Sequence, residues 1–525
     1  MGGAFLSSQS TLVSGPVLLV LYLAYRAILP KPLAGIPCNV EAPKKILGDV
    51  PEMMGYVMRT KRIFCWLTSL TARHDSPIVQ VFIKPMALPW VVVTDPLESQ
   101  DILLRRTKEF DRSGFFGELI GGILPEQHIQ FLSTDDRFKK NRNLINHLIA
   151  PTFITQVSAP EVYKSVCTLI KVWKLKCGMA EGPAILGAPR HHTFPTMWMI
   201  QFLFPNGDIP EVFGAVLTLA NSVTDTQLSP APVLTSWVLR KFPYMKKATA
   251  IKDNGTSPRS ALHSVLLRER EVSAKENRQP DYRKRGIADE FFGFMIAGSD
   301  TSTTASAWGV KLLAGSPSAQ DRLRSVLQEA LPRAVDEKRA PTYQELSKVH
   351  IPYLDAVIEE ILRHANTIAF VVRQALQDTT VLGRHIPKGT DVFLMANGAG
   401  YLEPNIAVKD EVRSAGARTV SGKTLTGLWD DKDIADFRPE RWLKMNPEIG
   451  VKVFDPMAGP TLAFGLGPRG CFGKRLGLQT LKIQFALIIW HFYLLQTPAK
   501  VNSYEAIQKF AREPTQCYVR LAAVE

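Results

Sequence analysis

Cysteine is scarce in this chain, with six in 525 residues, and no Cys-x-x-Cys pair occurs. Zinc fingers and thioredoxin-like redox motifs need such a pair, so its absence argues against both classes. A secreted disulfide framework would need a much higher cysteine density. We therefore interpret the cysteines as reduced intracellular thiols, at positions Cys38, Cys65, Cys167, Cys177, Cys471 and Cys517.

Acidic residues are outnumbered, because 49 Asp and Glu against 63 Lys and Arg leave a net charge of +14. This excess favours anionic partners such as phosphates, acidic proteins or the cytoplasmic face of a membrane. No basic run is interleaved with aromatic residues, so nucleic acid is not an expected partner. Apolar residues make up 46% and charged residues 21% of the chain, which is a globular composition.

Charged residues are absent from Ala4 to Tyr25. About 20 predominantly apolar residues span a bilayer, so this stretch is long enough for one transmembrane helix. Arg26 and Lys31 follow it while no basic residue precedes it, and the positive-inside rule then places the rest of the chain in the cytoplasm. A cleaved signal peptide is the alternative, but its basic start and Ala-x-Ala site are missing. We predict an uncleaved membrane anchor over residues 1–29.

Three prolines follow the predicted anchor, at Pro30, Pro32 and Pro37. Proline fixes φ and removes a backbone donor, so this stretch stiffens the chain and stops any helix. We predict a proline-rich hinge over residues 30–45 and one large domain over residues 46–525. An ordinary linker would have nearly the same composition.

The rest of the chain predicts a mainly α protein with small β-sheets. Residues 78–95 alternate and carry β-branched side chains, which predicts a two-stranded hairpin. Apolar residues at helical spacing dominate beyond it. Residues 240–285 are rich in Lys and Arg and predict a solvated loop-and-helix face. Residues 403–433 are polar and predict a surface loop.

A glycine-rich loop is the most informative stretch. Four of the ten residues that begin at Phe464 are glycine, so the backbone can turn sharply and lie against a flat partner. Cys471 lies in this loop, just before an apolar run, Leu476 to Leu495, that predicts a buried helix. A thiol at a helix N-terminus with Arg469 beside it is expected to ionise easily. A thiolate is a soft ligand that binds iron.

The loop pattern, Phe-x-x-Gly-x-Arg-x-Cys-x-Gly, resembles the haem-binding loop of the cytochrome P450 family. The resemblance implies that Cys471 is the proximal ligand of a haem iron and that Phe464 packs over the loop. It also implies that Arg469 neutralises a haem propionate and that Gly473, the last residue of the pattern, belongs to the cofactor-binding loop. The alternative is a glycine-rich turn before a core helix.

A long helix is predicted from Ile287 to about Ala314, and it contains the string Ala-Gly-Ser-Asp-Thr that ends at Thr301. Glycine costs about 1 kcal/mol in a helix interior, and threonine can bond back to a helix carbonyl and bend the helix. The string resembles the oxygen-activating motif of the same family. That resemblance implies that Thr301 steadies the bound oxygen and that Asp300 feeds protons through water. A core helix with a packing glycine is the alternative.

Glu360 and Arg363 stand on one helix face and can pair, although such a pair alone is common on exposed helices. The downstream Pro-Glu-Arg-Trp segment resembles the family's Pro-Glu-Arg-Phe, with Trp442 in the place of Phe. The resemblance implies a buried structural triad of Glu360, Arg363 and Arg441. Breaking it would leave an unpaired buried charge and abolish haem incorporation.

Two further arginines match family positions that contact haem propionates, Arg142 and Arg373. In the family, a Trp four residues before the first of these also holds a propionate. In this chain Phe138 occupies the position of that Trp, and a phenylalanine side chain has no N–H group to donate. We therefore expect one propionate contact to be lost or replaced.

The substrate pocket is expected to be apolar. Family members usually carry a proline in the stretch 366–370, and this chain does not, so its pocket should have a different shape. Core packing accounts equally well for each pocket candidate taken alone. The candidates are Phe115, Phe116, Phe294, Ala297, Ile368 and Phe370.

These motifs predict the cytochrome P450 fold, mainly α with small β-sheets, preceded by one N-terminal transmembrane helix. The predicted activity is that of a haem-thiolate monooxygenase, which inserts one atom of O₂ into an apolar organic substrate. The overall pattern resembles fungal members of secondary metabolism. Two alternatives stay open: an oxidative-coupling or peroxide-rearranging haem-thiolate enzyme, and a non-catalytic membrane-tethered binding protein.

The resemblance also implies a cofactor and partners. The cofactor is heme b, and its electrons would come from NADPH through the flavoprotein NADPH-cytochrome P450 reductase, with cytochrome b5 as an optional second donor. Lys139, Lys140, Lys474 and Arg475 would form a basic face for this acidic partner. The expected location is the endoplasmic reticulum membrane, single-pass, with the catalytic domain in the cytoplasm.

Overall fold

The computed structural model describes residues 19, 22–178, 184–186, 211–227, 229, 231–254, 261–418, 426–448, 450–508 and 511–524. Most of the predicted anchor, residues 1–18, 20 and 21, lies outside this part of the chain. Among the described residues, no helix combines the length and the apolarity needed to cross a bilayer.

Helices dominate the described residues, which confirms the mainly α prediction. Their bounds are α1 Val50–Thr60, α2 Ile63–Arg73, α3 Pro96–Leu104, α4 Phe115–Ile120, α5 Asp136–Ile145, α6 Ala159–Gly178, α7 Glu211–Gln227, α8 Pro232–Leu239, α9 Pro243–Asn254, α10 Ala261–Lys275, α11 Arg285–Ala314, α12 Pro317–Ala330, α13 Pro332–Asp336, α14 Tyr343–Lys348, α15 Pro352–Ala365 and α16 Lys474–His491.

The strands are short. They are β1 Ile78–Val81, β2 Trp90–Val93, β3 Phe110–Asp111, β4 Ala184–Leu186, β5 Phe370–Ala375, β6 Thr379–Val381, β7 Arg384–Ile386, β8 Asp391–Met395, β9 Leu443–Met445, β10 Lys452–Phe454, β11 Phe492–Leu495, β12 Ala506–Gln508, β13 Arg512–Pro514 and β14 Val519–Ala523.

The largest sheet has the strand order β1-β2-β8-β5-β3. Strands β1 and β2 pair antiparallel with Ile78 opposite Val93, which confirms the predicted hairpin. Strand β8 joins β2 in parallel and β5 in antiparallel orientation. The remaining strands form small antiparallel sheets: β11-β14-β4, β9-β10, β12-β13 and β6-β7.

Helix α11, which its apolar spacing predicted, packs against α15 and α16. Trp308 and Leu313 on its C-terminal half are buried in an apolar cluster to which α15 and α16 also contribute. Gly309 permits this packing, because a Cβ there would lie 2.1 Å from the Phe485 ring of α16. The core therefore fixes α11 relative to the helix that follows the glycine-rich loop.

The apolar run after Cys471 was predicted as one helix to Leu495, and this is wrong at its end. Helix α16 stops at His491, and β11 follows and pairs with β14. The physical reason is a change of period: Phe492 and Leu494 are buried while Tyr493 between them is exposed, as in a strand.

The two stretches predicted to be solvated are mostly exposed or half-buried where the structure describes them, but each contains a buried cation. Arg413, in the predicted surface loop, has a side chain that is 3% exposed and pairs with the fully buried Asp95 at the N-terminus of α3. Lys252, in the basic stretch, is fully buried on α9 and pairs with Asp289 of α11 at 2.6 Å. Charge composition missed both, because each cation has a carboxylate partner that is distant in sequence.

Candidate functional site

The glycine-rich loop is held tightly against α3. Gly465 and Gly467 have φ of +59° and +70°, a conformation that favours glycine. A Cβ on Gly467 would lie 2.1 Å from the Leu103 carbonyl oxygen, so the close approach of the two backbones also requires glycine. The Cys471 N–H donates to the Phe464 carbonyl at 2.7 Å. This turn presents Cys471 directly before α16, whose N-cap is Gly473.

The Cys471 thiol is a free cysteine with a solvent-accessible side chain. The protein around the loop nevertheless desolvates the sulfur, and this raises its pKa. Backbone N–H groups of Gly473 and Lys474 and the Lys474 ammonium act in the opposite direction. Burial of the loop therefore opposes the easy ionisation that the sequence predicts for this thiol. A bound cation such as iron would supply the missing stabilisation of the thiolate.

Phe464 packs beside the helix that follows the thiol. Its ring lies 3.6 Å from where a Cβ of Gly477 would be, and the Lys474 ammonium lies 5.6 Å from the ring centroid. Phe464 also contacts the large helical core. The side chain therefore ties the loop to α16.

A notch of small residues opens in the middle of α11. Ala297 and Gly298 are exposed although Ile296 and Thr304 near them are buried, and a Cβ on Gly298 would meet no atom within 4 Å. The Thr301 hydroxyl donates to the Ala297 carbonyl at 2.6 Å, which is the back-bond expected from the sequence. Helix α11 continues through this point without a break.

The two candidate proton-handling groups, Asp300 and Thr301, are both half-buried beside this notch. The Thr301 hydroxyl uses its only proton in the hydrogen bond to the Ala297 carbonyl, so its oxygen can accept a hydrogen bond from a water in the notch. A carboxylate and a hydroxyl in adjacent positions can pass a proton between solvent and the notch.

Three arginines come together near the loop: Arg112 and Arg373, which are buried, and Arg469, which is half-buried. Burial and repulsion by neighbouring arginines lower the pKa of Arg373 and Arg469 to about 10, and they hold the pKa of Arg112 well below its ordinary value. Asp111 is the carboxylate that opposes them. Arg469 Nη1 and Arg112 Nε are buried with no hydrogen-bond partner among the described residues. Buried cations with unused donors require an anion.

Haem fits this donor set. It carries two carboxylates, which can take the unused N–H groups of the arginine cluster, and an iron that a thiolate binds. Of the sequence-predicted propionate residues, Arg373 and Arg469 lie in the cluster. Arg142 lies beside it, donating to the Pro468 carbonyl at 3.2 Å, and its charge lowers the pKa of Arg469.

Arg112 was missed by sequence reasoning. It follows β3 and precedes α4, and the residues around it carry no motif. A buried arginine cannot be distinguished from a surface arginine without the tertiary structure.

Glu360, Arg363 and Arg441 meet in one buried network. Arg363 pairs with Glu360 through two N–H groups at 2.8 and 2.9 Å, and Arg441 Nε lies 3.1 Å from the same carboxylate. The Trp442 indole N–H donates to Glu360 at 2.9 Å, a contact that Phe could not make. Burial alone would raise the pKa of Glu360, but hydrogen bonds from Arg363 and His364 hold it well below its usual range.

Three of the six pocket candidates form an aromatic cluster. Phe115 lies edge-on to Phe370 with ring centroids 5.8 Å apart, and Phe116 stacks on Phe370 at 6.4 Å. Trp90 and Phe393 from the large sheet pack against Phe115 at 5.6 and 5.3 Å. These rings link α4 to the large sheet and form an apolar wall.

The other pocket candidates lie apart from this wall. Ala297 is on the α11 notch, and Ile368 is half-buried just before β5. Phe294 packs instead in a separate apolar cluster with Leu144 and Phe472.

Comparisons with known proteins agree with this geometry. A family model for cytochrome P450 matches residues 240–402 and 432–520. The chain is 34% identical to the cytochrome P450 monooxygenase TRI13 of Fusarium sporotrichioides, over 97% of this chain and 98% of the relative. It is 32% identical to the cytochrome P450 monooxygenase GME11363 of Pestalotiopsis microspora, over 99% of this chain and all of the relative.

A crystal structure of a mutant cytochrome P450DA haem domain superposes with a TM-score of 0.68 at 16% identity, covering 94% of this chain and 98% of that chain. This likeness concerns the fold, whereas the fungal relatives share sequence over nearly their whole length. The chain therefore belongs to the cytochrome P450 family.

Proposed function

We propose that the protein is a haem-thiolate monooxygenase that inserts one oxygen atom from O₂ into an apolar organic substrate. The observation that carries the proposal is the thiol loop beside a cluster of three arginines. Two of them, Arg112 and Arg469, have a buried N–H group without a hydrogen-bond partner among the described residues. Residues 46–525 would form the catalytic domain. The relatives described above are fungal cytochrome P450 monooxygenases, and we assign this chain to a pathway of fungal secondary metabolism.

In this proposal Cys471 binds the haem iron, while Arg112, Arg373 and Arg469 bind the propionates and Phe464 holds the loop. Haem with a thiolate ligand supplies the chemistry that activates O₂. Asp111 supplies one negative charge to the three arginines, and the two propionates would supply the other two. The close backbone approach at Gly467 fixes the loop against α3.

Proton handling belongs to Asp300 and Thr301. The notch at Ala297 and Gly298 leaves room for O₂ and water beside α11. Thr301 Oγ1 accepts a hydrogen bond from a water there, and Asp300 exchanges protons with solvent. Their role is to deliver protons at the oxygen atom that leaves as water.

The apolar wall of Phe115, Phe116 and Phe370 supports an apolar substrate. Aromatic rings exclude water and bind by surface contact rather than by hydrogen bonds. Spectral titration of the purified holoenzyme with terpenoids, polyketides and alkaloids would identify the class. A reaction under ¹⁸O₂ tests the activity itself: we expect one labelled oxygen atom in the product. A product without label would contradict monooxygenation and favour coupling or rearrangement.

Electrons would come from NADPH through cytochrome P450 reductase, with cytochrome b5 as an optional second donor. Lys139, Lys140, Lys474 and Arg475 are all exposed, and they support a basic docking face. Long-range attraction between charged surfaces weakens as salt rises. We expect reduction by the reductase to slow at high ionic strength, and an unchanged rate would argue against electrostatic docking.

We also propose that the protein is anchored in the endoplasmic reticulum membrane with its catalytic domain in the cytoplasm. The support is the charge-free N-terminal stretch together with α8, which exposes Val233, Leu234, Trp237 and Val238. Exposed apolar side chains on one helix fit a membrane surface. Removal of residues 1–29 should release the protein from microsomes to a large extent, and full retention would contradict the anchor.

A further inference from the structure

The Phe138 ring contacts two of the arginines near the glycine-rich loop. The Arg469 guanidinium lies 4.1 Å from its ring centroid, and the Arg142 guanidinium lies at 5.6 Å. A ring face attracts these cations, but phenylalanine has no N–H to offer an anion. Phe138 therefore packs against the arginines expected to bind a propionate, but it has no N–H group to donate to that propionate.

A histidine from another segment lies against this ring. His128 begins a 3-10 turn, His128–Gln130, and its ring centroid is 5.9 Å from that of Phe138. It also lies 5.7 Å from the ring of Phe472, the residue that follows Cys471 in the loop. Arg469 reaches the same turn, donating to the Ile129 carbonyl at 3.3 Å. His128 thus joins the arginines at the loop.

Glu290 of α11 fixes the orientation of the His128 ring. His128 Nδ1 lies 2.7 Å from Glu290 Oε2, and the His128 backbone N–H donates to the other carboxylate oxygen. Glu290 is fully buried, whereas the His128 side chain is 15% exposed. Nε2 has no hydrogen-bond partner in the described part of the chain. When both ring nitrogens carry a proton, a ring that donates from Nδ1 to Glu290 can also donate from Nε2 to a second acceptor.

We propose that His128 Nε2 donates a hydrogen bond to one haem propionate and replaces the donor that Phe138 cannot supply. The inference rests on the haem site of the proposed function. With Glu290 accepting at Nδ1 and a propionate accepting at Nε2, the imidazolium form uses both of its N–H groups. His128 is a cofactor-positioning residue in this account.

Two matched substitutions separate this role from a purely structural one. Glutamine places its amide nitrogen near the position of Nε2, whereas asparagine places its amide nitrogen near Nδ1. His128→Gln should keep the propionate contact and release haem at close to the wild-type rate. His128→Asn should keep the Glu290 contact but release haem about tenfold faster, as expected for one lost hydrogen bond to a charged group. Transfer of haem to excess apomyoglobin measures both rates.

A rescue variant gives a second test. Phe138→Trp restores an N–H beside the same propionate, so His128→Asn/Phe138→Trp should release haem within about twofold of the wild-type rate. Reconstitution with haem dimethyl ester, which has no propionate charge, should remove most of the difference between wild type and His128→Asn.

The outcomes are distinct. If the wild-type protein binds no haem, the proposed function fails. If it binds haem and His128→Asn releases it at the wild-type rate, the inference is overturned while the function stands. The inference is also overturned if His128→Gln releases haem faster than His128→Asn, or if Phe138→Trp does not slow haem release from His128→Asn. Either result would mean that His128 serves to hold Glu290 rather than a propionate.

Discussion

Substitution of Arg441 tests whether the buried Glu360 network holds the structure around the haem site. The Arg441 side chain is 5% exposed and lies 3.1 Å from the fully buried Glu360. It also pairs with Asp433 at 3.0 Å and donates to the Asp433 and Asp436 carbonyls. Arg441→Met keeps an unbranched side chain of similar reach and removes every one of these donors.

The expected loss in the free energy of unfolding depends on the partners that Glu360 keeps after Arg441 is replaced. Removing one partner of a buried ion pair destabilises a protein by about 3–5 kcal/mol, because the other charge is left buried and unpaired. Glu360 still keeps both N–H groups of Arg363. We therefore expect the lower end of this range, about 3 kcal/mol.

Arg438 provides a matched control three residues away. It pairs with the same Asp433, but its side chain is 56% exposed. An exposed pair contributes at most about 1 kcal/mol, so Arg438→Met should change the free energy of unfolding little. Its backbone N–H bond to Glu360 survives the substitution.

Urea unfolding followed by tryptophan fluorescence compares the two variants, because Trp429 and Trp442 lie in this network. Haem content per chain after expression is the second readout, and it should fall for Arg441→Met only. Equal free-energy losses for the two variants, or normal haem content in Arg441→Met, would refute the reasoning from burial.

Three further outcomes are expected. Gly467→Ala adds a Cβ 2.1 Å from the Leu103 carbonyl at a φ of +70° and should sharply lower haem content, measured per purified chain. Thr301→Ala should keep NADPH consumption but divert it to peroxide; unchanged coupling to product would remove the proton role. Burial raises the pKa of Glu98 from 4.5 to about 7. The fold then binds a proton that the unfolded chain releases, so stability should fall as pH rises through this interval, and Glu98→Gln should flatten the decline in urea midpoints.

Local motifs predicted much of the fold and of the candidate site. The spacing of apolar residues indicated α11, the alternation over residues 78–95 indicated the hairpin, and both are present. The glycine pattern that begins at Phe464 indicated a tight turn, and Gly467 makes it. In each case neighbours in sequence determine the structure, so the sequence alone contains the necessary information.

The remaining features depend on contacts between distant segments. Arg112 and His128 join the site only because the fold carries their loops to it, and neither has a local signature. Arg413 and Lys252 look like solvated charges in the sequence and are buried beside carboxylates. Burial of the loop around Cys471, which raises the pKa of the thiol, is likewise a tertiary property that the local sequence does not contain.

Binding of haem iron by the Cys471 sulfur underlies every role proposed for the site. It is measured most directly by the absorption spectrum of the reduced, carbon-monoxide-treated protein, for the wild-type chain and for Cys471→Ser. We expect a red-shifted thiolate band for the wild type and its loss in Cys471→Ser, which should still be examined for bound haem. A thiolate band retained in Cys471→Ser, or a correctly folded wild-type protein that binds no haem, would contradict it.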